Sequence, residues 1–284
     1  MTLPRTQRTL KSPVEIEGEG LFTGWPVKMR CLPAEADTGL VFVRTDLPDQ
    51  PEIPCAIPNL VTEHHSAARA TAVQNGGAQV MMIEHIMSSL FGLGIDNLRV
   101  EINSPEMPAG DGSAMTYVEP FLEAGPAELD APVRGLHDST PVTVTRKDVM
   151  LVALPSEEGF LVTYVLDYGD KFFGCQVLTL MLDEETFVRQ VAPARTYCLR
   201  PEIDFFMKQG LGKGATEQNT IVIEEDGGTS TELRFPDECV RHKILDLLGD
   251  LFLAGRLGPC RLLGYKSGHE TNVLLARELA EAAR

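Results

Sequence analysis

The chain has no stretch approaching the roughly 18 consecutive apolar residues that a membrane-spanning helix needs. Its opening, Met1-Thr2-Leu3-Pro4-Arg5-Thr6-Gln7-Arg8, leads into no apolar signal core, so a cytoplasmic protein is the simplest expectation. Basic residues are scarce against acidic ones, 25 against 41, which leaves a formal charge of −16 and a pI near 4.8. Phosphate backbones are held by basic surface, so nucleic acid is excluded as an expected partner and an anionic substrate needs a local basic pocket. The six cysteines (Cys31, Cys55, Cys175, Cys198, Cys239 and Cys260) include no Cys-x-x-Cys pair, which excludes a zinc ribbon or dithiol centre and leaves buried, reduced thiols. There is no low-complexity tract. Gly210-Leu211-Gly212-Lys213-Gly214 lacks the spacing of a phosphate-binding loop and reads as a flexible one.

What is present is enough apolar residue, 43% of 284, for one large core or two of ordinary size, and two are expected. Residues 27–33, 39–45 and 98–102 are short apolar runs bounded by Gly or Pro, as strands are. Ile83, Ile86, Met87, Leu90 and Phe91 recur at helical spacing over 83–93. The second half repeats this order, with strands near 142–144, 149–154 and 160–166. An amphipathic helix over about 237–254 follows, with Val240, Ile244, Leu247, Leu248 and Leu251 on its apolar side. The expected fold class is α+β, with duplicated domains at 1–126 and 127–284 and a hinge near 122–133, where Gly125-Pro126 and Ala131-Pro132 break the chain. Insertions are expected at about 48–79 and 196–222, the second with a helix over 202–209 and a strand over 219–224.

Metal-type ligands are split between the halves. Glu84-His85 opens the first helix; His242 and Asp246, four apart on the second, share a face. Two His, one carboxylate and an open position is the layout of a catalytic zinc rather than a structural one. Any lone His is more often solvated or packed in a core than a ligand, and His64, His65 and His137 read as loop residues. Glu84 diverges from His85 by about 100° around the helix, so it either favours the macrodipole or serves as a general base beside the metal. His242, Asp246 and Asp250 form a polar row on an otherwise apolar helix. The row is either a wet edge or a ligand face in which Asp250 partners His269 and keeps it charged as a general acid. Lys243 and Lys266 are candidate cations for an anionic substrate.

Taken together, several ordered motifs resemble the UDP-3-O-acyl-N-acetylglucosamine deacetylases over nearly the whole chain. They are Gly20-Leu21 with Thr23-Gly24; Glu84-His85 followed by Gly92-Leu93-Gly94-Ile95-Asp96-Asn97; Asp111-Gly112-Ser113-Ala114; Ala194-Arg195-Thr196; Val240-Arg241-His242-Lys243; and Tyr265-Lys266-Ser267-Gly268-His269. The resemblance implies two similar α+β domains in a β-α-α-β sandwich, each with an insertion. It implies zinc-dependent hydrolysis of the 2-acetamido group of a UDP-linked, 3-O-acylated glucosamine in lipid A synthesis. By matched position it implies His85, His242 and Asp246 as zinc ligands, a set that ferrous iron also accepts. Glu84 would be the base that activates water, His269 the acid oriented by Asp250, and Thr196 the oxyanion donor. Lys243 and Tyr197 would contact substrate, and a monomer is expected.

The chain departs from the family pattern in two places. Phe22 stands where the family usually has His, and Tyr197-Cys198-Leu199 follows Thr196 where the family has Phe-Gly-Phe. The stretches 66–77 and 212–219, where the family builds an apolar passage for the acyl chain, are small and polar here. Three readings therefore stand: the lipid A deacetylase, a zinc amidohydrolase on a less lipidic amino-sugar nucleotide, and a non-catalytic paralogue that binds a metal or sugar nucleotide.

Overall fold

In the computed structural model, residues 5–61, 69–133, 135–136 and 140–283 are described. The first half runs β1 (Thr6–Leu10), β2 (Val14–Glu19), β3 (Pro26–Pro33), β4 (Leu40–Arg44), β5 (Glu52–Pro54), β6 (Ala72–Asn75), β7 (Ala78–Met81), α1 (Glu84–Leu93), β8 (Leu98–Ile102), α2 (Met115–Ala124) and β9 (Pro126–Pro132). The second runs β10 (Val142–Arg146), β11 (Val149–Pro155), β12 (Phe160–Asp167), β13 (Cys175–Leu182), the single turn α3 (Glu184–Thr186), β14 (Tyr197–Leu199), α4 (Arg200–Lys208), β15 (Ile221–Ile223), α5 (Glu238–Phe252), β16 (Cys260–Tyr265) and α6 (His269–Ala282). None of the described helices is long and apolar enough to cross a membrane.

Two five-stranded sheets share one topology, β2-β3-β8-β4-β5 and β10-β11-β16-β12-β13. In each, the central strand (β8 or β16) follows the His-bearing helix and pairs parallel with a strand from earlier in the same half (β4 or β12); every other pairing in these sheets is antiparallel. The parallel pairs exist because a helix carries the chain back along the sheet. Strict alternation in Val14-Glu15-Ile16-Glu17 and in Phe160 through Asp167 puts one side of each sheet into the core. All ten residues of α1 are buried, and α5 packs along it and against β12 and β13. A left-handed Gly94 (φ 67°) ends α1, and Arg256 caps its last carbonyls, donating to Leu90, Phe91 and Ile95. Asp96 compensates that buried guanidinium and is itself gripped by Arg5.

Two expectations need correction. Residues 122–133 are not a bare hinge: α2 runs to Ala124, and Pro126–Pro132 is a strand antiparallel to β1. The prolines that looked like breakers stand at the two ends of that strand. The insertion expected from residue 48 also begins too early, because Glu52–Pro54 is the fifth strand of the first sheet and carries the fully buried Ile53. Three residues flanked by proline show no usable alternation. Among the described residues that follow, β6 and β7 form a hairpin turning at Gly76-Gly77. The stretch expected as the second insertion contains β14, α4 and β15, with β14 and β15 forming their own parallel pair. His64, His65 and His137 lie outside the described residues.

Candidate metal and acid–base site

The two central helices cross where their functional residues stand. A Cβ on Gly249 would sit 2.1 Å from the carbonyl oxygen of Glu84, so only glycine lets α5 approach the first turn of α1 this closely. Gly249→Ala is expected to force the helices apart and cost about 1–3 kcal/mol, as overpacking does. A thermal melt checks this, and parallel metal titration should show weakened uptake.

This crossing brings together the groups that the sequence separates by more than 150 positions. One ligand atom each from His85, His242 and Asp246 lies within 4.8 Å of the others, and all three residues are buried. The His85 and His242 rings meet edge to face at 5.1 Å. His242 Nδ1 is 3.0 Å from the Ala194 carbonyl oxygen, an acceptor, so Nδ1 carries the proton and Nε2 presents a lone pair. That lone pair faces Asp246 Oδ1 at 3.3 Å. Asp246 Oδ1 is buried without a hydrogen-bond partner, whereas Oδ2 accepts from Lys243 Nζ at 2.6 Å. Two acceptors turned on one another in a buried site ask for a cation between them. Burial, together with the neighbouring His242, pulls the His85 pKa down to about 3, and burial lowers that of His242; neutral imidazoles are what a metal binds. Burial alone would raise the Asp246 pKa, but Lys243 and the surrounding imidazoles hold it far below the usual carboxylate range. The residues fit a divalent ion.

The segment before α5 is locked from beneath. Glu238, fully buried in the first turn, accepts from Arg195 N and Nε at 2.9 Å each and from Arg234 N at 2.7 Å. This holds Ala194-Arg195-Thr196 against the helix and aims the Ala194 carbonyl at His242. Thr196 itself is placed by backbone bonds to Gly112 and Ile221 and lines the same cavity as the three ligands. Tyr197 is nearly buried, its ring edge-on to His242 at 6.3 Å and its hydroxyl 3.2 Å from that of Tyr168.

On the other side stand Glu84, Asp250 and His269. His269 is the first residue of α6, where the helix dipole disfavours positive charge. Its Nδ1 nevertheless lies 2.8 Å from Asp250 Oδ2, which also accepts from Asn272 Nδ2 at 2.8 Å. Burial works against the imidazolium, but Asp250, Asp246 and Glu84 outweigh it and raise the His269 pKa to about 9. Its Nε2 then points between Glu84 Oε1 and Asp246 Oδ2, each 3.9 Å away. Burial pushes the Glu84 carboxyl up to about 7; His269 opposes the rise, and Asp250 and Asp246 add to it.

Sequence reasoning missed Thr71. Its backbone N–H donates to Glu84 Oε2 at 2.9 Å and its hydroxyl donates to Asp250, so one residue of the first insertion holds both the acidic and the basic arm. A threonine in an irregular stretch carries no pattern that could have signalled this. The Ala194 carbonyl was missed for the same reason, and Asn272 because a lone buried Asn in α6 carries no sequence signal of its partner.

The cavity over these groups has a volume of about 1020 Å³. Its wall also includes Phe22, Ile203, Phe206, Met207 and Leu211. The second insertion therefore lines the cavity with apolar residues of α4, N-terminal to the polar stretch 212–219.

The family model described as "LpxC: UDP-3-O-acyl N-acetylglycosamine deacetylase" matches residues 7–281. The chain belongs to that family. Curated relatives agree along most of their length. The UDP-3-O-acyl-N-acetylglucosamine deacetylase of Chlamydia pneumoniae is 37% identical over 282 residues, covering 99% of each chain. That of Chlamydia trachomatis serovar L2 is 37% identical over 282 residues, covering 99% of this chain and 96% of its own. That of Anaeromyxobacter dehalogenans is 39% identical over 274 residues, covering 96% and 87%. Family membership places the His85, His242, Asp246 cluster in an enzyme rather than in a binding paralogue.

Proposed function

We propose that this chain is a metal-dependent deacetylase that hydrolyses the 2-acetamido group of a UDP-linked, 3-O-acylated glucosamine to the free amine and acetate, a step of lipid A synthesis. One observation carries the reading: the orphaned Asp246 Oδ1, the lone pair of His242 and His85 converge on one point, with Glu84 and His269 beside it in a cavity that has an apolar wall. His85, His242 and Asp246 hold the ion, taken as zinc, with ferrous iron accepted by the same donors. When bound, it supplies Lewis acidity toward the amide carbonyl and lowers the pKa of a neighbouring water.

The chain's own groups do the proton work. Glu84, fixed by the Thr71 N–H, takes a proton from the attacking water at Oε1. Thr196 donates to the oxygen on which negative charge develops. His269 gives the Nε2 proton to the departing nitrogen, while Asp250 holds its Nδ1–H and favours the charged ring. Lys243 neutralises Asp246 Oδ2 and leaves Oδ1 for the ion, and its charge also steadies an anionic substrate. Tyr197 packs the wall behind His242 and is the aromatic contact for substrate. The α4 side chains that line the cavity, Ile203, Phe206 and Met207, favour the acylated substrate over a less lipidic one.

The matched sheet orders support a further reading, that residues 1–126 and 127–284 are duplicated α+β domains in a β-α-α-β sandwich, each with an insertion.

Quantifying acetate and free amine released from the acylated UDP-sugar tests the function. Metal-loaded protein should release them in equal amounts, and chelator-stripped protein should release neither until metal is restored. Absence of release from the loaded protein would reject the reading. Thr71→Val keeps the backbone N–H but removes the hydroxyl from Asp250. We expect kcat to fall roughly tenfold with KM little changed, about the worth of one hydrogen bond to a charged group. Thr71→Ser should restore it.

A further inference from the structure

The insertion helix α4 does not bury a single residue. Phe205 and Met207 are 51% and 70% exposed, and Trp25 is 57% exposed. Trp25 belongs to the same surface, because the loop before it is bonded to the segment after α4. Lys213 N donates to Phe22 O and Gly214 N to Leu21 O, and Gly24 lies against the Lys213 backbone. Met207 faces two ways, lining the cavity while most of it stays in solvent, so the apolar wall continues onto the outer surface. Aromatic and thioether side chains grouped on an exposed helix mark a surface that something apolar covers at work.

Charge narrows the occupant. In a chain of formal charge −16, residues 199–216 carry three basic side chains against two acidic ones. Arg69 pairs with the acidic Glu202 and Arg200 with Glu224, while Lys208 and Lys213 stand exposed alongside Asp204 and Glu217. An anionic surface that repels the rest of the molecule is tolerated or attracted here. Nine residues are too few to bury deeply, but aromatic and basic side chains together suit shallow, reversible seating in the headgroup region.

We propose that α4 and the Trp25 loop form a lipid-docking rim around the cavity mouth, which seats the protein on an anionic bilayer so that an acylated substrate enters the cavity directly from the membrane. The proposal rests on the acylated-substrate reading, and its test separates the two.

Trp25 is the chain's single tryptophan, so its emission reports the rim alone. Metal-loaded protein is titrated with vesicles of phosphatidylethanolamine containing a minority of phosphatidylglycerol, and pelleted with them, in the absence of substrate. The emission should shift to shorter wavelength and the protein should co-sediment, more strongly than with phosphatidylcholine vesicles. Phe205→Ser, outside the cavity lining, should weaken binding roughly tenfold while leaving turnover of a soluble short-chain substrate unchanged. No shift and no co-sedimentation, or equal binding by Phe205→Ser, would overturn the proposal. So would a shift that follows protein concentration without lipid, since the patch would then cover a second copy. Vesicle binding without acetate release would uphold the rim and reject the functional reading; release without vesicle binding would do the reverse.

Discussion

Glu84→Gln should retain its metal and its fold yet turn over about 10²–10⁴-fold more slowly, the span that a positioned base contributes. The amide is isosteric and can still accept from the Thr71 N–H, so the loss isolates proton transfer. Glu84 is not among the three clustered ligand residues, which predicts unchanged metal stoichiometry. The pH profile adds a signature. Catalysis needs Glu84 deprotonated and His269 protonated, and their pKa values are about 7 and about 9. Activity should therefore fall on the acid side as Glu84 gains its proton and on the alkaline side as His269 loses its own. A cation at the neighbouring ligands favours the deprotonated form of both groups and moves both limbs downward. Glu84→Gln should lose the acid limb; persistence of that limb would reject the assignment.

His242→Ala should lose metal and activity together. The substitution removes one of three donors and the imidazole that donates to the Ala194 carbonyl, leaving Asp246 Oδ1 with neither His nor ion. A metal centre supplies several kcal/mol of charge stabilisation, so turnover should drop by about 10⁴-fold. Metal analysis of the purified variant, beside the acetate assay, checks both halves of the claim. Full metal occupancy in His242→Ala would mean that the ion is held elsewhere. Melting temperature should also fall on chelation of the native protein, because an ion that binds only the folded state stabilises it.

The parts of this site that were legible in the sequence share a cause. His242, Asp246 and Asp250 sit at a spacing of four on a helix with a clear apolar stripe, so their common face followed from helical geometry. His85 was legible as the entry of a second such helix. Strands β3, β8 and β12 alternate cleanly over five to eight residues and were placed to within two residues. What escaped has no period. Thr71 acts through one backbone and one side-chain bond to helices far along the chain. The strand β9 was hidden by prolines that occupy its ends, and β5 is only three residues long. That α6 begins on His269 was not anticipated, since Gly268 offers no side-chain cap. The apolar wall was sought in residues 66–77 and 212–219, whereas Ile203, Phe206 and Met207 provide it from a helix whose outward face reads as amphipathic in any setting.

The most direct measurement is acetate release by zinc-reconstituted protein from UDP-3-O-acyl-N-acetylglucosamine and UDP-N-acetylglucosamine side by side. The account predicts rapid release from the acylated substrate and little from the other, because the wall of α4 is filled only by a chain. Equal release from both would contradict the role given to that wall, and release from neither with zinc bound would contradict the deacetylase itself.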